Sequence, residues 1–250
     1  MPLIHVSSWQ DFLRRIAASA DIKWVWDGAT ASDDLQFQLV EAVGRDRFVS
    51  LMVPILTPES PPSQSFHRLC KLMGMANFAA IISTNWDMLI DESGCCERVA
   101  YLGQDDNIID DGLFQESQLH HCNSLCRPKP LLIKIQGDIS TPSMLNVSRD
   151  DYARMFAIKS RFLDRLTRRY SIFSIGRSGA QVGQNFAAPT ADIPRMRQFF
   201  VCNDLSDEDK MKLAEQGVTA LCYCSRATEW QGNRLYLEKL VAYFQGVRQI

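Results

Sequence analysis

Short apolar runs and helical stripes alternate along this chain. Ser7 or Ser8 can cap a first helix, in which Trp9, Phe12, Leu13 and Ile16 recur at helical spacing. The run Ile22 to Trp26 reads as a strand, and Asp27-Gly28-Ala29-Thr30-Ala31-Ser32 leaves it as a turn. From Asp33 to Met75 the pattern is helical, with Leu35, Leu39, Val40 and Val43 on one side. The segment Thr57 to Gln64 breaks that run, because proline cannot continue a helix and biases its predecessor to extended geometry. A second helix then carries Phe66, Leu69, Leu72 and Met73.

Phe78 to Ile82 has the length and isoleucine content of a strand buried on both faces, and it runs into Ser83-Thr84-Asn85-Trp86-Asp87. Val99 to Leu102 is a short strand, and Leu131 to Ile135 is a buried one ending in Gln136-Gly137-Asp138. Asp150-Asp151-Tyr152 opens a helix with Met155, Phe156, Phe162 and Leu166 on its apolar side. Ser171 to Ile175 ends in Gly176-Arg177-Ser178. Gln198 to Cys202 and Val218 to Tyr223 are late strands around a polar helix near Asp207 to Glu215, and a helix with Leu235, Leu240 and Phe244 closes the chain.

Buried strands alternating with helices predict an α/β fold: a Rossmann-like, doubly wound parallel sheet, read as one domain over 1–250. The helical stretch at about 33–76 exceeds an ordinary crossover and reads as a small inserted helical lobe. Polar clusters at the C-terminal ends of buried parallel strands sit where open α/β sheets bind ligands. Two plainer readings stand beside that one. Asp87 serves equally well as a helix cap, and the turn after Gly28 serves as an ordinary strand-to-helix connection or as a phosphate-binding turn.

Composition narrows the classes. A net charge of −2 gives no bulk attraction for nucleic acid. The cluster Arg161, Arg165, Arg168 and Arg169 is a solvated face or a patch for an acidic partner. No apolar run reaches the roughly 18–20 residues of a membrane span, and the N-terminus lacks the pattern of a secretory signal, so a cytoplasmic location is expected. Eight cysteines without an export signal predict reduced thiols. Cys202, Cys222 and Cys224 lie in strand-like stretches as small hydrophobes. His120, His121, Cys122 and Cys126 carry zinc-donor atoms, but their spacing fits no familiar zinc pattern, and no metal is expected.

Four features now stand in one order: Gly28-Ala29-Thr30-Ala31-Ser32, Ser83-Thr84-Asn85-Trp86-Asp87, Lys134-Ile135-Gln136-Gly137-Asp138 and Gly176-Arg177-Ser178. Together they resemble the sirtuin-like family, in particular the compact bacterial members found as NAD-hydrolysing domains in anti-phage defence proteins. Ser65-Phe66-His67-Arg68-Leu69 and Ser148-Arg149-Asp150-Asp151-Tyr152 are similar to that family's flanking segments, and the resemblance runs from about Ile22 to Phe244. It implies that Gly28, Ala29, Thr30 and Ser32 surround the phosphates of NAD. It implies further that Thr84, Asn85 and Asp87 line the nicotinamide-ribose pocket, with Gly137, Gly176 and Ser178 also against the cofactor. Asn85 would orient the reacting ribose or a water, and Asp87 would bond polar groups of the pocket.

The departures fall on the chemistry. Gln136 occupies the family's histidine position, and an amide cannot accept a proton near neutral pH. It can still hydrogen-bond a ribose hydroxyl. Thr30 replaces a glycine of the phosphate turn, and Gln181 replaces an aspartate beyond Ser178. No cysteine lies between Cys126 and Cys202, so the zinc module of deacetylating sirtuins is missing.

Three functions remain open at this point. One is a catalytically degenerate NAD-binding subunit, structural or sensing, in a defence complex with a protein partner or as a homo-oligomer. The second is an active NAD glycohydrolase that depletes NAD. The third is an interaction module that binds no nucleotide.

Overall fold

The computed structural model describes residues 9–23, 32–57, 66–67, 70–71, 80–96, 99–102, 130–175, 198–202 and 205–222. The chain falls into two compact units that divide after Met155. Each carries a three-stranded, all-parallel sheet.

In the first unit, α1 (Trp9–Ser19) buries Phe12, Leu13, Ile16 and Ala17 along one stripe, while Asp11 pairs with Arg14 and Arg15 on the other side. Asp21 ends the helix at φ 59°, and the Ile22 N–H reaches back to the Ala17 carbonyl at 2.9 Å. This is the left-handed helix stop in which the residue after the turn packs back onto the helix. Ile22 therefore closes α1 and packs against its core, and the remainder of the expected strand from residue 24 onward lies outside the described residues. Residues 24–31, including Gly28, Ala29 and Thr30, lie outside the described residues.

Helices α2 (Ser32–Val43) and α3 (Arg45–Leu56) follow with Gly44 between them, as the helical stripe predicts. The cores of α1, α2 and α3 join through Phe12, Leu39, Phe48 and Met52. Trp86, Leu145 and Val147 enter the same cluster from the segments that follow two strands of the sheet. The helices are thereby fastened to one edge of that sheet.

The sheet is built from β1 (Ala80–Ser83), β2 (Val99–Tyr101) and β3 (Leu131–Lys134) in the order β1-β3-β2. Every residue of β3 is buried, which explains its unbroken apolar sequence up to Lys134. Ser83 and Tyr101 both lie in register with Lys134, so the three strands end at one level. A single turn of helix, α4 (Leu89–Glu92), follows β1.

Helix α5 (Arg149–Arg169) spans the division between the units. The second unit continues with β4 (Ile172–Ile175), β5 (Gln198–Cys202), α6 (Asp207–Glu215) and β6 (Val218–Cys222), in sheet order β4-β5-β6. Ser206 caps α6 by accepting the Asp209 N–H at 3.1 Å. Leu213 of α6 and Val218 of β6 bury together with Ile172, Leu205 and Ala220 packed around them. No described helix is long and apolar enough to cross a membrane.

Candidate functional site at a parallel strand edge

Parallel pairing of β1 with β3 brings the polar ends of both strands to one edge. The Ser83 carbonyl accepts the Ile135 N–H at 3.1 Å, and the Trp86 carbonyl accepts the Ile139 N–H at 2.9 Å, so the two loops run side by side. Ser83 Oγ accepts the Asn85 N–H at 3.1 Å, which turns the chain outward at once. Asn85 is exposed and Thr84 half-buried. Trp86 swings the other way, its ring 5.1 Å from Trp9 and 6.2 Å from Phe12. Within this turn Asn85 alone is exposed, between buried Ser83 and buried Trp86 and Asp87.

Asp87 is buried, and its Oδ1 accepts the Leu89 N–H at 3.0 Å. Met88 is the N-cap residue of α4, so Asp87 stands one position before the cap and its carboxylate forms a turn onto the N–H two residues on. Burial pushes the carboxyl of Asp87 above its ordinary value, and the Leu89 N–H and the Lys134 cation offset that only in part.

Lys134 ties the edge together from inside. It is 1% exposed, and its Nζ donates to the Asp87 carbonyl at 2.5 Å. The same nitrogen stands 2.8 Å from Asp91 Oδ2 and 3.7 Å from Asp138 Oδ2. Asp138 is fully buried and saturated. Tyr101 OH donates to its Oδ2 at 3.0 Å, and the Ser140 N–H and hydroxyl donate to its Oδ1 at 2.9 and 2.6 Å. One cation thus joins the ends of β1 and β3 and helix α4, and through Asp138 it reaches β2. Nothing in the spacing of Lys134, Asp91 and Tyr101 announces this network; the one signal is a lysine inside the otherwise apolar Leu131-Leu132-Ile133-Lys134-Ile135.

Gln136 is half-buried, and its carbonyl accepts the Asn146 N–H at 3.0 Å. Gly137 has φ +72°, and a Cβ there would stand 2.2 Å from the Met144 carbonyl oxygen. The segment that crosses so close is pinned by Arg45, whose Nη2 donates to the carbonyls of Pro142 and Leu145 at 3.1 and 2.9 Å. Arg45 Nε also reaches Asp151 Oδ2 at 3.3 Å.

The structure thus brings Thr84, Asn85, Asp87, Gln136 and Gly137 to one edge. Ser32 opens α2, with its side chain outside the described set, and Gly176 and Ser178 lie outside the described residues, as does the His120–Cys126 cluster. Among the described residues, no group of histidine, cysteine or acidic side chains could hold a metal ion. What the edge offers outward is hydrogen-bonding capacity from Thr84, Asn85 and Gln136. Of its carboxylates, Asp91 and Asp138 face Lys134, while Asp87 Oδ1 accepts the Leu89 N–H. No protein-family model matches the chain, and none of the curated proteins does.

Proposed function

We propose that this protein is a sirtuin-like NAD-binding domain that holds the cofactor at the β1–β3 edge and hydrolyses it slowly or not at all, acting as a structural or NAD-sensing subunit of a bacterial anti-phage defence complex. One observation carries the reading. Two adjacent parallel strand ends present amides, Asn85 and Gln136, while Asp87, the carboxylate beside them, is buried and accepts the first N–H of the helix that follows. Amides can donate to and accept from ribose hydroxyls, but they cannot take a proton at neutral pH. An edge of this kind suits recognition better than glycosidic cleavage, which needs a placed proton acceptor.

The reading implies a Rossmann-like doubly wound arrangement. In it the turn Gly28-Ala29-Thr30 with Ser32 takes the phosphates, and Gly176 and Ser178 complete the surroundings of the cofactor. It also implies a cytoplasmic protein working with a protein partner or a second copy of itself.

Titration calorimetry of the full chain with NAD tests it. Saturable binding is expected, weakened about tenfold or more in Asn85→Ala through loss of an amide that bonds the ligand, with no sustained nicotinamide release. Release that Asn85→Ala abolishes would replace this reading with the active glycohydrolase. Absence of NAD binding would leave the interaction module. If the missing base is what limits chemistry, Gln136→His restores measurable release while leaving affinity near that of the parent.

A further inference from the structure

Away from the strand edge, three sulfur atoms converge behind α4. Cys95 Sγ lies 3.5 Å from Cys96 Sγ, and Cys70 is buried in the same side-chain cluster as Cys95. All three are free thiols. Cys70 and Cys95 are buried with Phe66 and Leu89, and Cys96 packs on the margin of that cluster, half-buried. A tight turn fixes the central sulfur. The Cys95 N–H donates to Ser93 Oγ at 3.3 Å, Ser93 Oγ donates to the Ile90 carbonyl at 2.6 Å, and Cys95 Sγ is itself 3.9 Å from that carbonyl.

A cysteine used only as a small hydrophobe has no need of sulfur neighbours. Here Cys95 shares one cluster with two further thiols, the nearer at 3.5 Å. The Cys70 hydrogen bond and then the Cys96 hydrogen bond pull the Cys95 thiol well below its ordinary value against the opposing effect of burial. The same bonds, with burial, hold the Cys70 and Cys96 thiols up. The cluster therefore gives up one proton easily, and the charge rests on its central member. A thiolate is the form of cysteine that attacks electrophiles.

We propose that Cys70, Cys95 and Cys96 form an oxidation site for small hydroperoxides, with Cys95 as the attacking sulfur and Cys70 as the thiol that resolves it into a disulfide. In the first step Cys95 Sγ attacks one peroxide oxygen and the O–O bond breaks. Hydroxide leaves and takes a solvent proton as water, and Cys95 becomes a sulfenic acid. In the second step the Cys70 sulfur attacks Cys95 Sγ, the S–S bond forms, and the sulfenic hydroxyl departs as a second water with the Cys70 proton. Two thiols lose two electrons, and one hydroperoxide is reduced. Cys70 is chosen over Cys96 on chain geometry. Neighbouring Cα atoms are about 3.8 Å apart, below the roughly 4.4–6.8 Å of ordinary disulfides. Cys96 is instead the partly exposed member of the three. The resulting bond closes a ring around β1, the Thr84–Asp87 turn and α4, and the proposal stands whether or not that turn binds a nucleotide.

The test is peptide mass mapping of the reduced full-length protein after hydrogen peroxide and alkylation. The expected product is a Cys70–Cys95 linked peptide that dithiothreitol reverses, with Cys96 still alkylated. In Cys70→Ser the reaction stops at Cys95, and dimedone labels it there. Should that variant fail to fold, the map of the parent protein decides alone. Cys95 that stays fully alkylated after peroxide, a Cys95–Cys96 link, or direct passage of Cys95 to sulfinic acid would each overturn the assignment.

Discussion

Gly137 and Lys134 stand three residues apart at the end of β3, and each has a packing reason that no ligand is needed to explain. At φ +72° an added Cβ meets the Met144 carbonyl oxygen at 2.2 Å and the Leu145 nitrogen at 2.8 Å. Both contacts are backbone, in a segment that Arg45 holds and whose Leu145 is buried. The neighbour cannot swing aside as a side chain tip would. Gly137→Ala is therefore expected to lose about 2–4 kcal/mol, the sum of a left-handed backbone penalty and overpacking. Gly217→Ala is the control, because Gly217, just past the end of α6, shares the positive φ at +74° but has no atom within 4 Å of an added Cβ. It should lose only about 1–2 kcal/mol. Urea unfolding of both variants at unchanged slope measures the difference. Equal losses would mean that the 144–145 segment yields. Resemblance assigns Gly137 and Asp87 to a cofactor, and both residues are also explained from within the fold.

At the scale of elements, the start of α5 shows what sequence carries and what it cannot. Ser148-Arg149-Asp150-Asp151 has the spacing of a capping box, and the structure makes one. Ser148 Oγ accepts the Asp151 N–H at 3.1 Å, and Asp151 Oδ2 accepts the Val147 and Ser148 N–H groups at 3.2 and 3.1 Å. The same carboxylate takes Arg45 from α3 and Arg154 from α5. Asp151→Ala strands two amides and a guanidinium at once, and an expected loss of about 2–3 kcal/mol follows from the cap and the unpaired donors. Arg45→Ala in the Asp151→Ala background should cost less than it does alone, and a double-mutant cycle reads that coupling. Strictly additive losses would remove Arg45 from the cap. The helix start was legible because its signal is local. Arg45 was not, being a partner from a distant helix. The same distinction runs through both units. All six strands, β1 to β6, were legible as bounded apolar runs. Cys95 and Cys96 are adjacent in sequence, but Cys70 joins them only through folding.

Across the whole molecule, folding stability against pH sums over buried carboxylates, and two of them pull in opposite directions. Burial would raise Asp151 also, but the Ser148 N–H and hydroxyl, the Val147 N–H and Arg45 outweigh it and hold its carboxyl below the ordinary value of 3.8. The unfolded chain then binds the proton more readily than the native one. Asp151 therefore contributes stability that is present above 3.8 and is lost as pH falls through its depressed native value. Asp87 has the reverse sign. Its native carboxyl is raised from the same 3.8, first by burial, so the native state binds the proton more readily. Its effect is absent well below 3.8, becomes a cost that grows as pH rises above 3.8, and is full once pH passes the raised value. From these two groups alone, stability peaks near their shared ordinary value and declines on either side. Asp87→Asn isolates the alkaline limb, because an amide oxygen can still accept the Leu89 N–H while carrying no charge to desolvate. Urea midpoints for parent and variant are expected to converge as pH falls below 3.8, where Asp87 takes up its proton in the unfolded as well as the native state. By pH 7 the variant should be the more stable of the two. All other titrating groups are common to both proteins and cancel in that difference. A variant that is instead less stable at pH 7 would mean that the Lys134 cation, 2.5 Å from the Asp87 carbonyl, outweighs burial at this carboxylate.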